Sequence, residues 1–123
     1  GARFFAVMSV NPSNEVLIGP VTMTDISTPG SVFAACTASG RLVRAYSMLQ
    51  GAITVADCTW TMEVNGIAVS GTAIVDNAAS GLGLVTSLDL PNFRVNEGDT
   101  LEWVSAGESS TAAVADFYVV IRV

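Results

Sequence analysis

Residues 59–72 read TWTMEVNGIAVSGT, two alternating segments joined by Asn65-Gly66. Asn-Gly favours positive φ at both turn positions, and the resulting type I′ turn has a twist that suits a two-residue β-hairpin. That loop length sets Val64 opposite Ile67, Met62 opposite Val69 and Trp60 opposite Gly71 on one sheet face. On the other face Glu63 meets Ala68, Thr61 meets Ser70 and Thr59 meets Thr72. Apolar and polar sets separate under one register, and a slip of a single residue would exchange the faces. One apolar face on a hairpin has to be covered, so the rest of the chain must supply a second layer.

The flanking sequence offers more strands. Residues 3–10, RFFAVMSV, read as a strand or an extended arm ended by Asn11-Pro12-Ser13-Asn14. Residues 16–23 form another apolar run, and Gly19-Pro20 within it points to a sheet edge or a bulge. Beyond the turn at Thr28-Pro29-Gly30, segments 31–38 and 41–50 are separated by Ser39-Gly40 and read as a second hairpin. Alternation fails in RLVRAYSML, where Leu42, Tyr46 and Met48 stand against Val43, Ala45 and Leu49. A strand apolar on both sides is central in a sandwich or lies at a subunit contact. Residues 82–90 contain a strand that Pro91-Asn92 is expected to stop, and Asn96-Glu97-Gly98-Asp99 is a turn. In the next strand Leu101 and Trp103 share a face; in the last, Ala115, Phe117, Val119, Ile121 and Val123 oppose Asp116, Tyr118 and Arg122. Eight or nine short strands without an amphipathic helix predict an all-β sandwich or barrel.

Chemistry is thin in this chain of 123 residues. It has no Lys and no His, so a Ser or Cys nucleophile would lack a base. No glycine loop is suited to cradle phosphate. Glu97, Asp99 and Glu102 are the one candidate carboxylate set for glycosidic hydrolysis, and ordinary turn chemistry explains them better. Asn96 and Asp99 could offer oxygens to calcium, but no EF-hand pattern supports it. No catalytic residue, cofactor or metal is therefore expected. Cys36 and Cys58 form no CxxC motif and are expected to be two buried thiols, while Trp60 and Trp103 fall on apolar faces and are expected in the core.

Only 13% of residues are charged against 50% hydrophobic, where about 25% charged is typical. Either small polar residues coat a β core, or much of the exterior is buried against other chains. The net charge is −6, and the five basic residues, Arg3, Arg41, Arg44, Arg94 and Arg122, are scattered along the sequence. Direct nucleic-acid binding needs a clustered basic patch and is not expected. Mean hydropathy is +0.54, yet the apolar runs are too short to cross a membrane as a helix.

Two segments, GRLVRAYSMLQGAITVADCTWTMEVNGIAVSG at 40–71 and VNEGDTLEWVS at 95–105, resemble small capsid decoration, or cement, proteins of tailed bacteriophages. The end of the chain also resembles trimeric jelly rolls of the tumour-necrosis-factor and C1q type, in fold only. The resemblance implies a single-domain jelly-roll-like β-sandwich of about eight strands at 31–123, preceded by an N-terminal arm and edge strand at 1–30. It implies a structural, non-enzymatic virion protein, made in the host cytoplasm, that binds the outer surface of a phage head. There it would bridge subunits of the major capsid protein as a homo-oligomer, dimer or trimer. Arg3, Phe4, Phe5, Val7, Asn11 and Asn14 are then the capsid-contact candidates, and Arg41, Leu42, Arg44, Tyr46 and Met48 the subunit-contact candidates. The alternative is a carbohydrate- or receptor-binding β-sandwich displayed on a virion or cell surface, for which Tyr46 and Tyr118 are the aromatics outside the apolar faces.

Overall fold

A computed structural model describes residues 14–123, and among them there are nine strands and no helix. The strands are β1 (Glu15–Met23), β2 (Gly30–Ala35), β3 (Gly40–Leu49), β4 (Cys58–Val64), β5 (Ile67–Ala68), β6 (Ala73–Val75), β7 (Val85–Val95), β8 (Thr100–Gly107) and β9 (Ala115–Arg122). One sheet has the order β1-β9-β3-β7; the other runs β2-β8-β4-β5, with β6 also beside β4. Every pairing is antiparallel. Apart from the local β4-β5-β6 set, each successive strand crosses to the opposite sheet. The result is an all-β, jelly-roll-like sandwich.

The Asn65-Gly66 hairpin forms with both residues at positive φ, 51° and 83°, and pairs Val64 with Ile67 and Glu63 with Ala68. Beyond Val69, whose N–H donates to the Met62 carbonyl at 3.0 Å, the expected register changes: Trp60 lies opposite Ala73, not Gly71, and Thr59 opposite Ile74, not Thr72. The change is two residues, and side chains alternate with a period of two, so the faces keep their identity. Trp60, Met62, Val64, Val69, Ala73 and Val75 are buried, while Ile67, at the hairpin tip, is exposed.

Three expectations about connectivity need correction. Segments 31–38 and 41–50 do not form a hairpin, because β2 and β3 belong to different sheets. The chain turns over the sandwich edge there, held by Cys36 N–H to the Asp99 carbonyl and Gly98 N–H to the Cys36 carbonyl, both 2.8 Å. Gly40 sits against β9, where an added Cβ would collide with the Arg122 carbonyl oxygen. Pro91-Asn92 does not stop β7, which continues to Val95. It is tolerated because β7 is an edge strand, and Asn92 at φ 51° sits in the irregularity opposite Leu42 and Arg44. Finally, β3 is not apolar on both faces. A bulge between Leu42 and Arg44 switches its parity, so Leu42 and then Ala45, Ser47 and Leu49 all point inward.

Aromatic packing joins the sheets. Phe117 of β9 meets Trp60 edge-on with centroids 5.3 Å apart, and Trp103 at 6.2 Å. Trp60 Nε1 donates to the buried Ser47 Oγ at 3.1 Å, tying β4 to β3 across the core. Cys36 and Cys58 are free and buried, as expected; β2 and β4 are separated by β8. At the edge, β1 pairs with β9 through an irregularity at Gly19-Pro20, as the sequence suggested.

Candidate functional site

Because β3 and β9 are the two central strands of the four-stranded sheet, inward Ser47 and Phe117 leave their neighbours Tyr46 and Tyr118 on the outer face. The two tyrosines lie directly opposite each other in the β3-β9 register. Far apart in sequence, they become one aromatic pair. Ser87 flanks Tyr46 on β7, and Gly19 of the β1 irregularity lies so close to Tyr118 that a Cβ there would stand 2.9 Å from its ring.

Two charged rows lie beyond the pair toward one end of the sheet. In the nearer, Asp89, Arg44, Val120 and Leu17 follow one another from β7 to β1. Arg44 Nε donates to Asp89 Oδ1 at 2.8 Å, and this hydrogen bond and the Asp89 charge hold the guanidinium above its ordinary pKa. In the farther row Arg94, Arg41, Arg122 and Glu15 follow one another, and Arg122 pairs with Glu15 at 2.9 Å. Four of the five arginines therefore share this face, although in the sequence only Arg41 and Arg44 stand near each other. Glu15, Val43, Arg44, Tyr46, Val120 and Arg122 line an open hollow of about 280 Å³. On the other side of the tyrosines a row runs through Val85, Met48, Asp116 and Thr22, whose hydroxyl donates to Asp116 Oδ1 at 2.7 Å.

Of the subunit-contact candidates, Arg41, Arg44, Tyr46 and Met48 thus share the outer face, whereas Leu42 is removed from it: its side chain is fully buried in the core. Among the capsid-contact candidates, Arg3, Phe4, Phe5, Val7 and Asn11 lie outside the described residues. Asn14 is exposed at φ 52°, and its carbonyl accepts the Val123 N–H at 2.9 Å. Sequence reasoning missed Glu15, Asp89 and Val120, which reach the site only through strand pairing.

The remaining surfaces offer less. On the outer face of the five-stranded sheet Glu102 lies directly opposite Glu63, with Phe33 on its other side. This separates Glu102 from Glu97 and Asp99, which belong to the preceding turn. Asp99 is occupied within that turn: its carboxylate accepts the Asn96 N–H at 2.8 Å and the Asn65 side-chain amide at 3.2 Å, which hold its pKa below the usual value. No group of three or more His, Cys, Asp or Glu suited to a metal occurs among the described residues. Loops 24–29, 50–57, 76–84 and 108–114 gather at one end of the sandwich and contain neither an aromatic nor an arginine. Their most exposed large hydrophobic side chains are Val55, at φ 77°, and Leu82.

No protein-family model and no curated protein matches the sequence. Solved structures do share the fold. A carbohydrate-binding module of family 35 from Cellvibrio japonicus Abf62 is 16% identical with a TM-score of 0.54, covering 80% of this chain and 70% of that one. A family 6 carbohydrate-binding module is 14% identical with a TM-score of 0.55 over 94% and 88% of the two chains. The catalytic unit of a GH87 α-1,3-glucanase from Streptomyces thermodiastaticus is 11% identical with a TM-score of 0.55; 90% of this chain matches 26% of that unit. At these identities the likeness establishes the fold alone.

Proposed function

We propose that this chain is a carbohydrate-binding β-sandwich module, which holds a glycan without cleaving it on the outer face of the four-stranded sheet. The observation that carries this reading is the Tyr46–Tyr118 pair set beside Arg44, Arg122, Glu15 and Asp89. A sugar ring presents C–H faces to an aromatic and hydroxyl edges to charged donors and acceptors, and sites of this kind combine apolar surface with a few placed polar groups. Likeness of fold to carbohydrate-binding modules supports it. Catalysis has weaker support. A glycosidase needs two carboxyls flanking a bound scissile bond, and the opposed Glu63 and Glu102 lie half-exposed on the outer face of the other sheet. The test is a glycan array followed by affinity electrophoresis in gels containing the captured polysaccharide. Retardation that Tyr46→Ala and Tyr118→Ala each abolish is expected; a silent array, or retardation unchanged by either substitution, overturns the reading.

A second reading, a homo-oligomeric virion surface protein that docks on a capsid, draws support from large exposed side chains on both outer faces. Leu17 is 61% and Val85 55% exposed on one sheet, Phe33 57% and Ile74 60% on the other. Apolar surface of this kind, in a chain so poor in charge, suits burial against other subunits. Co-sedimentation with phage heads that lack the protein would favour this reading, and its absence would remove it.

A further inference from the structure

Resting on the carbohydrate reading, the outer face also speaks to the class of sugar. Arg94, Arg41 and Arg122 follow one another on β7, β3 and β9 in a single cross-strand row. Adjacent strands are about 4.8 Å apart, so the three backbones fall within roughly 10 Å. Like charges directly opposite each other destabilise a sheet. Such a row is the more notable in a chain of net charge −6 with only five basic residues.

The face already answers two of its guanidiniums with carboxylates, Arg122 with Glu15 and Arg44 with Asp89, both pairs exposed. Among the described residues the other two have none. Arg41 donates through one terminal nitrogen to the Asn92 carbonyl at 3.2 Å, and Arg94 makes no hydrogen bond or ion pair among the described residues. A guanidinium presents paired donors that match a planar carboxylate in a two-point contact. From Tyr118 to Arg122 is four strand residues, about 13 Å, a span that calls for several sugar units in place of one. We propose that the ligand is a uronate-containing oligosaccharide, with a ring against Tyr46 and Tyr118 and a carboxylate taken by Arg41 and Arg94.

The experiment is isothermal titration calorimetry on the full chain with tetramers of galacturonate, mannuronate and glucuronate, the neutral tetramer cellotetraose, galacturonic acid alone, and dextran sulfate. At least one uronate tetramer is expected to bind ten times or more tightly than cellotetraose and than the monosaccharide. The double variant R41Q/R94Q, whose side chains are exposed, is expected to weaken that binding about tenfold or more, as loss of a charged hydrogen bond would. Its weak affinity for cellotetraose should not change. Cellotetraose bound as tightly as every uronate overturns the acidic-sugar assignment but leaves carbohydrate binding standing. No binding of any saccharide overturns both. Dextran sulfate bound as well as the best uronate, or wild-type affinity in R41Q/R94Q, overturns the carboxylate contact in favour of general attraction to polyanions or of another location.

Discussion

Trp60 and Trp103 are equally buried, at 1% and 0% exposure, and both touch Phe117, but among the described residues only Trp60 has a partner for its indole N–H. Trp103 Nε1 is buried without one. Replacing either by Phe removes about 40 Å³, which at ~24 cal/mol per Å³ of residual cavity costs roughly 1 kcal/mol. At Trp103 the substitution also removes a buried unpaired donor whose desolvation costs about 1–3 kcal/mol. The terms oppose, and the net change is expected to run from about zero to about 2 kcal/mol of added stability. At Trp60 they add. The bond to Ser47 is lost and a buried hydroxyl is stranded, for a total of about 2–4 kcal/mol. Urea unfolding followed by the fluorescence of the remaining Trp reads the difference, and with an m value of about 2 kcal/mol per M the midpoints should differ by about 1–3 M. Adding Ser47→Ala to Trp60→Phe should recover about 1 kcal/mol by removing the stranded hydroxyl. Equal losses at the two tryptophans, or a larger loss at Trp103, would refute this account of the core.

Other perturbations give equally definite expectations. Val55 is β-branched, 80% exposed and held at φ 77°, so Val55→Gly is expected to relieve strain and raise stability by about 1 kcal/mol in thermal unfolding; a loss would show that the side chain supports its loop. Hydrogen bonds from Ser27 and Thr28 to Asp25, from Asn77 to Asp57, and from Asn96 and Asn65 to Asp99 lower these carboxyls below their usual 3.8. Their contribution is present above the unfolded value and lost as pH falls through the folded ones, so the Tm should drop on acidification below about pH 4, less steeply in Asp57→Asn. Burial pushes both cysteine thiols up, so stability should decline above about pH 9 as the unfolded chain ionises first, and a thiol reagent at pH 7 should label Cys36 and Cys58 only after denaturation.

Residues that obey a strict period disclose their faces in the sequence itself. Trp60, Met62, Leu101, Trp103 and the inward set of β9 were all legible, because side-chain alternation is a local property of a strand. Pairing partners were not. Ser39-Gly40 carries the same turn signal whether the chain folds back within a sheet or crosses to the other, and here it crosses. In β3 the bulge between Leu42 and Arg44 reversed the parity that alternation would have extrapolated, placing Leu42 inside and Tyr46 outside although they share an even spacing. The site was hidden for the same reason. Arg41, Arg94 and Arg122, like Tyr46 and Tyr118, meet only because nonlocal registers align them, and no local pattern records a register between strands so distant in sequence.

The central claim, that the outer face of the four-stranded sheet receives a glycan, is tested most directly by mapping amide chemical shifts during titration with uronate tetramers and cellotetraose. Perturbations are expected to cluster on β3 and β9 around Tyr46, Tyr118, Arg44 and Arg122, with the outer face of β2, β8 and β4 unmoved. Saturable shifts confined to loops 24–29, 50–57, 76–84 and 108–114, or to the surface around Phe33 and Glu102, would contradict it.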